Sequence, residues 1–119
     1  MLANQLKGIY AVTDDVLTPL CNIEKNVEEA LHAGVKIIQF RNKIQTDNEI
    51  EQTAINLQKL CTNYDALFVM NDRVQLTGKL KLDAVHIGIE DISLIDARKI
   101  VGTNCIIGVS CYGNIELAK

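Results

Sequence analysis

The sequence predicts an α/β protein built from consecutive parallel β/α units. Three observations point there. Short apolar runs rich in Ile, Leu, Val and Ala recur along the chain. Each run is nearly continuous, as in strands covered on both faces, and does not alternate with polar residues. Between the runs lie amphipathic stretches bounded by helix start and stop signals, which is the β/α rhythm of a parallel sheet.

Residues 8–13 read as the first strand, closed by Asp14 and Asp15, which suit a turn. Asn22 is placed to cap a helix running to about Ala33, and Gly34 stops it as a left-handed C-terminal residue. Residues 35–40 form the second strand. Thr46-Asp47-Asn48-Glu49 has the spacing of a capping box. The helix behind it sets Ile50, Ala54, Leu57 and Cys61 on one face, at intervals of three and four. Residues 66–70 are the third strand, followed by a short helix over about 73–80. Residues 83–87 are the fourth strand. Ser93 caps a further helix that Gly102 closes, residues 105–109 are the fifth strand, and a last helix is expected to start near Asn114.

Bulk properties narrow the choice. The 119 residues suffice for one domain, and 48% are hydrophobic with no Trp, so the core is aliphatic. The net charge of −3 argues against a nucleic-acid binder, which needs a concentrated basic face. No apolar stretch approaches the roughly 18–20 residues that cross a bilayer, and residues 1–7 lack a signal-peptide pattern, so no membrane and a cytoplasmic location are expected. Cys21, Cys61, Cys105 and Cys111 have neither CxxC spacing nor histidines at zinc-ligand spacing, and read as reduced thiols. Two architectures fit. A flavodoxin-like sheet uses five units in about this length, whereas a (β/α)₈ barrel uses eight in about 250 residues. The missing fifth helix suggests a cut through a longer repeat.

In either architecture binding residues gather where strands end. Those ends carry Thr13, Asp14 and Asp15; then Gln39, Arg41 and Lys43; then Asn71, Asp72 and Arg73; then His86, Gly88, Glu90 and Asp91; then Gly108, Val109 and Ser110. If the second strand stays extended, Gln39, Arg41 and Lys43 share one side. Asn71-Asp72 reads equally as a helix cap or as a functional pair. A buried Gln39 must find partners or cost about 1–3 kcal/mol. Asp72 and Asp91 offer the hard oxygens that Mg²⁺ prefers, while Arg41 and Lys43 suit phosphate oxygens.

The run Tyr10-Ala11-Val12-Thr13-Asp14, Gln39-Phe40-Arg41-Asn42-Lys43, Asn71-Asp72-Arg73, His86-Ile87-Gly88 with Glu90-Asp91, and Ile107-Gly108-Val109-Ser110 resembles the motif series of thiamine-phosphate synthases, in order and spacing. The resemblance implies a (β/α)₈ TIM barrel of which residues 1–119 form a single incomplete domain, about five strands and four helices. It implies a transferase that joins a pyrimidine methyl diphosphate to a thiazole phosphate, giving thiamine phosphate and pyrophosphate through a pyrimidine carbocation. By the same resemblance Asp72 and Asp91 bind Mg²⁺, and Arg41, Lys43 and Asn71 hold the diphosphate. Gln39 meets the pyrimidine, Ser110 faces substrate, and Arg41, Lys43 and Ser110 are the catalytic candidates.

Two departures stand out: Asn42 where the family usually has Glu, and Ile89 where it often has Gln, both read as tuning. The family's Thr- and Lys-containing loop after the sixth strand and its glycine-rich phosphate turns are not in the sequence. The chain alone is therefore expected to be inactive, and to associate with itself or to belong to a longer polypeptide. Three alternatives remain: a thiazole tautomerase, which typically lacks the acidic residues present here; a phospho-receiver module, which should end its fourth and fifth strands in Ser or Thr and in Lys; and an inactive barrel fragment.

Overall fold

The computed structural model describes residues 9–13, 21–88, 92–111 and 114–118. It divides into two compact units, Met1–Phe68 and Val69–Lys119.

In the first unit, β1 (Ile9–Val12) pairs in parallel with β2 (Val35–Phe40), with a register irregularity between Ile9 and Tyr10. Helix α1 (Ile23–His32) joins them, burying Ile23, Val27 and Leu31 at helical spacing. Asn22 stands at its N-cap, but its side chain makes no capping bond; the chain then turns at Gly34, whose φ of +107° disfavours a side chain. Helix α2 (Asp47–Asn63) starts with the expected capping box, Thr46 and Glu49 each bonding the other's backbone N–H. Its stripe of Ile50, Ala54, Leu57 and Cys61 has no exposed surface at all. Asn56 reaches from α2 to Glu24 of α1, its amide donating at 3.3 Å. The buried rings of Phe40 and Phe68 lie 6.3 Å apart, tilted by 38°.

In the second unit β3 (Leu67–Asn71, entered through Phe68), β4 (Ala84–Gly88) and β5 (Ile106–Cys111) pair in parallel in sequence order. Helix α3 (Val74–Leu80) and helix α4 (Leu94–Val101) make the connections. Ser93 caps α4 by accepting from the Asp96 N–H at 3.1 Å, and Gly102 ends it at φ +86°. The Arg98 guanidinium then ties the loop to β5, donating to the carbonyls of Gly102 at 2.8 Å and Cys105 at 2.6 Å. Parallel strands joined by helices match the predicted α/β class, with boundaries shifted by a residue or two.

The last segment does not match. A helix is expected from Asn114, but Asn114–Ala118 is a strand, β6, antiparallel to β5 with Cys111 opposite Asn114. Antiparallel pairing gives the backbones of β5 and β6 hydrogen-bond partners, and the sequence places Ile115 and Leu117 at the two-residue period of a strand.

Gly78 shows where packing overrides propensity. A Cβ there would stand 2.6 Å from the backbone oxygen of Ile100 in α4, so the two helices approach too closely for any side chain. Alanine would gain about 1 kcal/mol in helix propensity. Overpacking against immobile backbone costs about 1–3 kcal/mol. We expect Gly78→Ala to lower the melting temperature; a rise would show that α3 and α4 are not in contact at this point.

Candidate functional site

The end of β2 is held by β1. The Thr13 N–H donates to the Gln39 carbonyl at 2.9 Å, and its hydroxyl accepts from the Arg41 N–H at 2.9 Å. The same hydroxyl lies 3.5 Å from the Arg41 carbonyl, as a weak donor. Arg41 stands past the last residue of β2, and Thr13, itself buried, fixes its backbone. The guanidinium side chain is left exposed. Gln39 is buried, at 6% exposure, and its amide donates to the Tyr10 hydroxyl of β1. The partner demanded by a buried Gln is therefore a tyrosine. Tyr10 is 45% exposed, so the pair presents a polar spot beside an accessible ring. Burial raises the phenol's pKa above its usual value, with the Gln39 hydrogen bond opposing the rise. Tyr10 belongs to the first strand's motif but was not among the expected site residues; its signal was an aromatic in a sequence with few of them.

Lys43 does not continue the extended line of Gln39 and Arg41. Residues 43–45 bend, and Asn42 makes the bend. Its side-chain oxygen accepts from the N–H groups of Ile44 at 3.1 Å and Gln45 at 2.8 Å, and its amide donates to the Gln45 side chain at 2.5 Å. Asn42, expected only to tune the site, is a buried turn-forming residue that turns Lys43 off the strand axis. The structure thus brings Gln39 and Arg41 to the close of one strand and places the exposed Lys43 in the following loop.

In the second unit Asn71 ends β3 and Asp72 follows with φ +69°, a left-handed conformation that Asp tolerates better than most residues. The turn is pinned on both sides. The Asp72 N–H donates to the His86 carbonyl at 2.7 Å, and the Arg73 N–H to the Asn71 carbonyl at 3.0 Å. The Asn71 amide donates to the Asp72 carboxylate at 3.2 Å. Helix α3 begins after Arg73, which occupies the N-cap position without a side-chain capping bond. The N-cap position thus falls on Arg73, one residue past the Asn71-Asp72 pair. A half-buried carboxylate on a strained backbone is more common where function demands it.

Ser110 is in β5, opposite Gly88, with its side chain outside the described residues. Asp14, Asp15, Ile89, Glu90 and Asp91, the second expected metal ligand among them, also lie outside the described residues. Among those that are described, no helix is long and apolar enough to cross a membrane.

The thiols differ sharply. Cys61 and Cys105 are buried and Cys21 is exposed. Burial pushes the Cys105 thiol up from 9.0 to about 11, helped by the negative charge of Asp83 and opposed by Arg98. Because the folded state disfavours the thiolate, this site leaves stability untouched below pH 9.0 and lowers it as pH rises toward about 11. Iodoacetamide at neutral pH should alkylate Cys21 quickly and reach Cys61 and Cys105 only on unfolding, as read by peptide mass spectrometry. Fast labelling of Cys105 in the native state would contradict its burial.

The sequence profile of thiamine monophosphate synthase matches residues 9–119. The chain is 38% identical over 112 residues to the thiamine-phosphate synthase of Marinobacter nauticus, covering 94% of this chain and 50% of that protein. It is 40% identical over 118 residues to the thiamine-phosphate synthase of Alcanivorax borkumensis, covering 99% of this chain and 54% of that protein. Among solved structures, thiamine phosphate pyrophosphorylase from Pyrococcus furiosus aligns with a TM-score of 0.83 at 36% identity, covering 94% of this chain and 53% of that one. The chain spans about half the length of the curated relatives it matches. A phospho-receiver module is excluded by a match of this extent. With the motif residues at the ends of parallel strands and the profile running from β1 through β6, the chain belongs to the thiamine monophosphate synthase family.

Proposed function

We propose that this chain forms the first five units of a (β/α)₈ barrel, a single incomplete domain, and that the whole barrel is a thiamine-phosphate synthase. The observation that carries this reading is the family match from residue 9 to residue 119, which includes every strand-end motif. The substrates are a pyrimidine methyl diphosphate and a thiazole phosphate. The carbon–oxygen bond to the diphosphate breaks with its electron pair leaving on oxygen, and the thiazole nitrogen's lone pair then takes the carbocation.

Each residue has a role that its chemistry suits. Arg41 offers a planar fork and Lys43 a point charge to oxygens that gather negative charge as the bond breaks. Asn71 donates to the same diphosphate, and Gln39, backed by Tyr10, positions the pyrimidine. Ser110 contacts substrate. This labour is positional and electrostatic, which suits exposed cations on well-anchored backbone. Thr13 is a positioning residue, because it holds the backbone of Arg41.

The donor set fits Mg²⁺. Asp72 supplies hard carboxylate oxygens, and this ion is usually held by one or two carboxylates with the remainder from phosphate and water. Asp72 and Asp91 are the proposed ligands. Bound Mg²⁺ would neutralise charge on the diphosphate.

Tyr10 and Val12 are about half exposed on β1, at 45% and 50%, an apolar strand surface that supports self-association or further units of the same polypeptide. A cytoplasmic location fits the substrates. The test supplies both substrates, with and without Mg²⁺, to this chain and to the longest protein that contains it. Thiamine phosphate should form with the longer protein and only with the metal. Its failure to form there would sink the reading.

A further inference from the structure

The loop that carries Lys43 is fixed by side chains at both ends. Asn42 is 7% exposed, and its side-chain oxygen accepts from the N–H groups of Ile44 at 3.1 Å and Gln45 at 2.8 Å. Its amide donates to the Gln45 side chain at 2.5 Å. Just upstream, the Thr13 hydroxyl holds the Arg41 N–H at 2.9 Å. The exposed Lys43 lies between these two clamps. Burial of apolar surface does not explain the turn, because it leaves Ile44 69% exposed. Helix initiation does not explain it either, since α2 has a self-contained cap in Thr46 and Glu49. What the bonds of Asn42 fix is the direction in which the chain leaves β2, and Lys43 is the first residue of that bend.

The chemistry of lysine makes this direction matter. An ammonium is a point charge on a flexible stem, with no planar fork to align it, so the backbone that starts the stem largely sets its reach. Misplacing a reacting group by about 1 Å can cost about a hundredfold in rate. We infer that Asn42 is a positioning residue that acts through Lys43: the turn it builds sets where the ammonium meets the leaving diphosphate. This inference rests on the synthase reading, which gives Lys43 that anion. Asn suits the task because it is neutral. It accepts from both amides as a carboxylate would, yet adds no negative charge beside Arg41 and Lys43. The two cations are thus mounted separately, Arg41 by a hydroxyl from the first strand's end and Lys43 by the residue before it.

A double-variant cycle in the longest protein that contains this chain tests the inference. The probe is inorganic pyrophosphate with Mg²⁺, read as an inhibitor competing with the pyrimidine diphosphate. An inhibition constant does not depend on how much of the enzyme is folded, so a merely structural loss cannot move it. Lys43→Ala should raise the constant about thirtyfold, within the range for one hydrogen bond to a charged group. Asn42→Ala should raise it about fivefold, because the lysine remains but is less often in place. With both changes the constant should stay within about twofold of Lys43→Ala alone, since a residue acting through Lys43 then has nothing to position. An unchanged constant in Asn42→Ala, or losses that multiply in the double variant, would overturn the inference and leave the turn as a link between β2 and α2. No effect of Lys43→Ala in an active enzyme would overturn it as well, with the synthase reading left standing. A parent protein that makes no thiamine phosphate would overturn both. If Asn42→Ala does not fold, Asn42→Ser runs the same cycle with a smaller first effect, its hydroxyl forming a weaker turn of the same kind.

Discussion

Asp72→Asn is expected to reduce Mg²⁺-dependent turnover by about 10²–10³-fold while leaving the fold intact, a loss typical of removing an electrostatic stabiliser of developing charge. The substitution isolates one property. Asn tolerates the left-handed backbone at φ +69° nearly as well as Asp does. Its side-chain oxygen still accepts from the Asn71 amide, now 3.2 Å from the carboxylate. The backbone bond to His86 is untouched. What disappears is a negative charge and one hard oxygen ligand. Turnover should fall, the Mg²⁺ concentration needed for half-activity should rise, and the melting temperature should move little. Asp72→Ala would confound these effects, because Ala is strained at positive φ. A variant Asp72→Asn that kept full activity in the longest protein containing this chain would remove the metal assignment.

Phe68→Ala should cost about 3–5 kcal/mol of stability. The ring has no exposed surface, and its partner Phe40 lies 6.3 Å away with 1% exposed. Truncation would therefore leave a fully buried cavity beside another aromatic. Small domains are stable by only about 5–15 kcal/mol, so the variant should sit near its unfolding threshold. Urea denaturation measures the loss as a lower midpoint at unchanged slope. Adding Phe40→Leu completes a double-mutant cycle, and coupling of about 0.5–1.5 kcal/mol is expected for a tilted aromatic pair. A single-variant loss under about 1 kcal/mol would mean that the two rings do not pack as described.

The parts of the structure legible in the sequence are those set by local pattern. The α2 stripe follows from apolar residues at intervals of three and four, and all four members are fully buried. Thr46 and Glu49 form a capping box because the motif is self-contained within four residues. Gly34 and Gly102 end helices at positive φ for a reason visible in a single residue. The sequence misled where a choice depended on a partner distant along the chain. Residues 114–118 are a strand paired with β5, a pairing that no local propensity records. The site divides along the same line. Arg41, Asn71 and Asp72 were placed correctly at strand ends, since strand ends are local features. The condition attached to Lys43, that the strand stays extended, is not met, because the Asn42 side chain folds back onto the amides of Ile44 and Gln45 and bends the chain there. Tyr10 was overlooked because its reach to Gln39 requires the register of β1 on β2, irregular at Ile9. The left-handed backbone of Asp72 was invisible for the same reason: its amide answers to a carbonyl in the next strand.

The hydroxyl of Thr13 substitutes for a missing rung of the ladder. Beyond Phe40 the second strand has run out, yet the next residue's amide is still held, by a side chain from 28 positions earlier. The first strand is thus a mount as well as a wall: it sets the pose of a cation it does not carry. Circular permutants that open the chain between β1 and β2 should keep this mount, because the two strands remain neighbours in space. Any shortened version that begins after residue 13 would lose it, and the Arg41 backbone would then lose this anchor. For anyone recombining β/α units between relatives, the first and second strands should therefore travel together as one cassette.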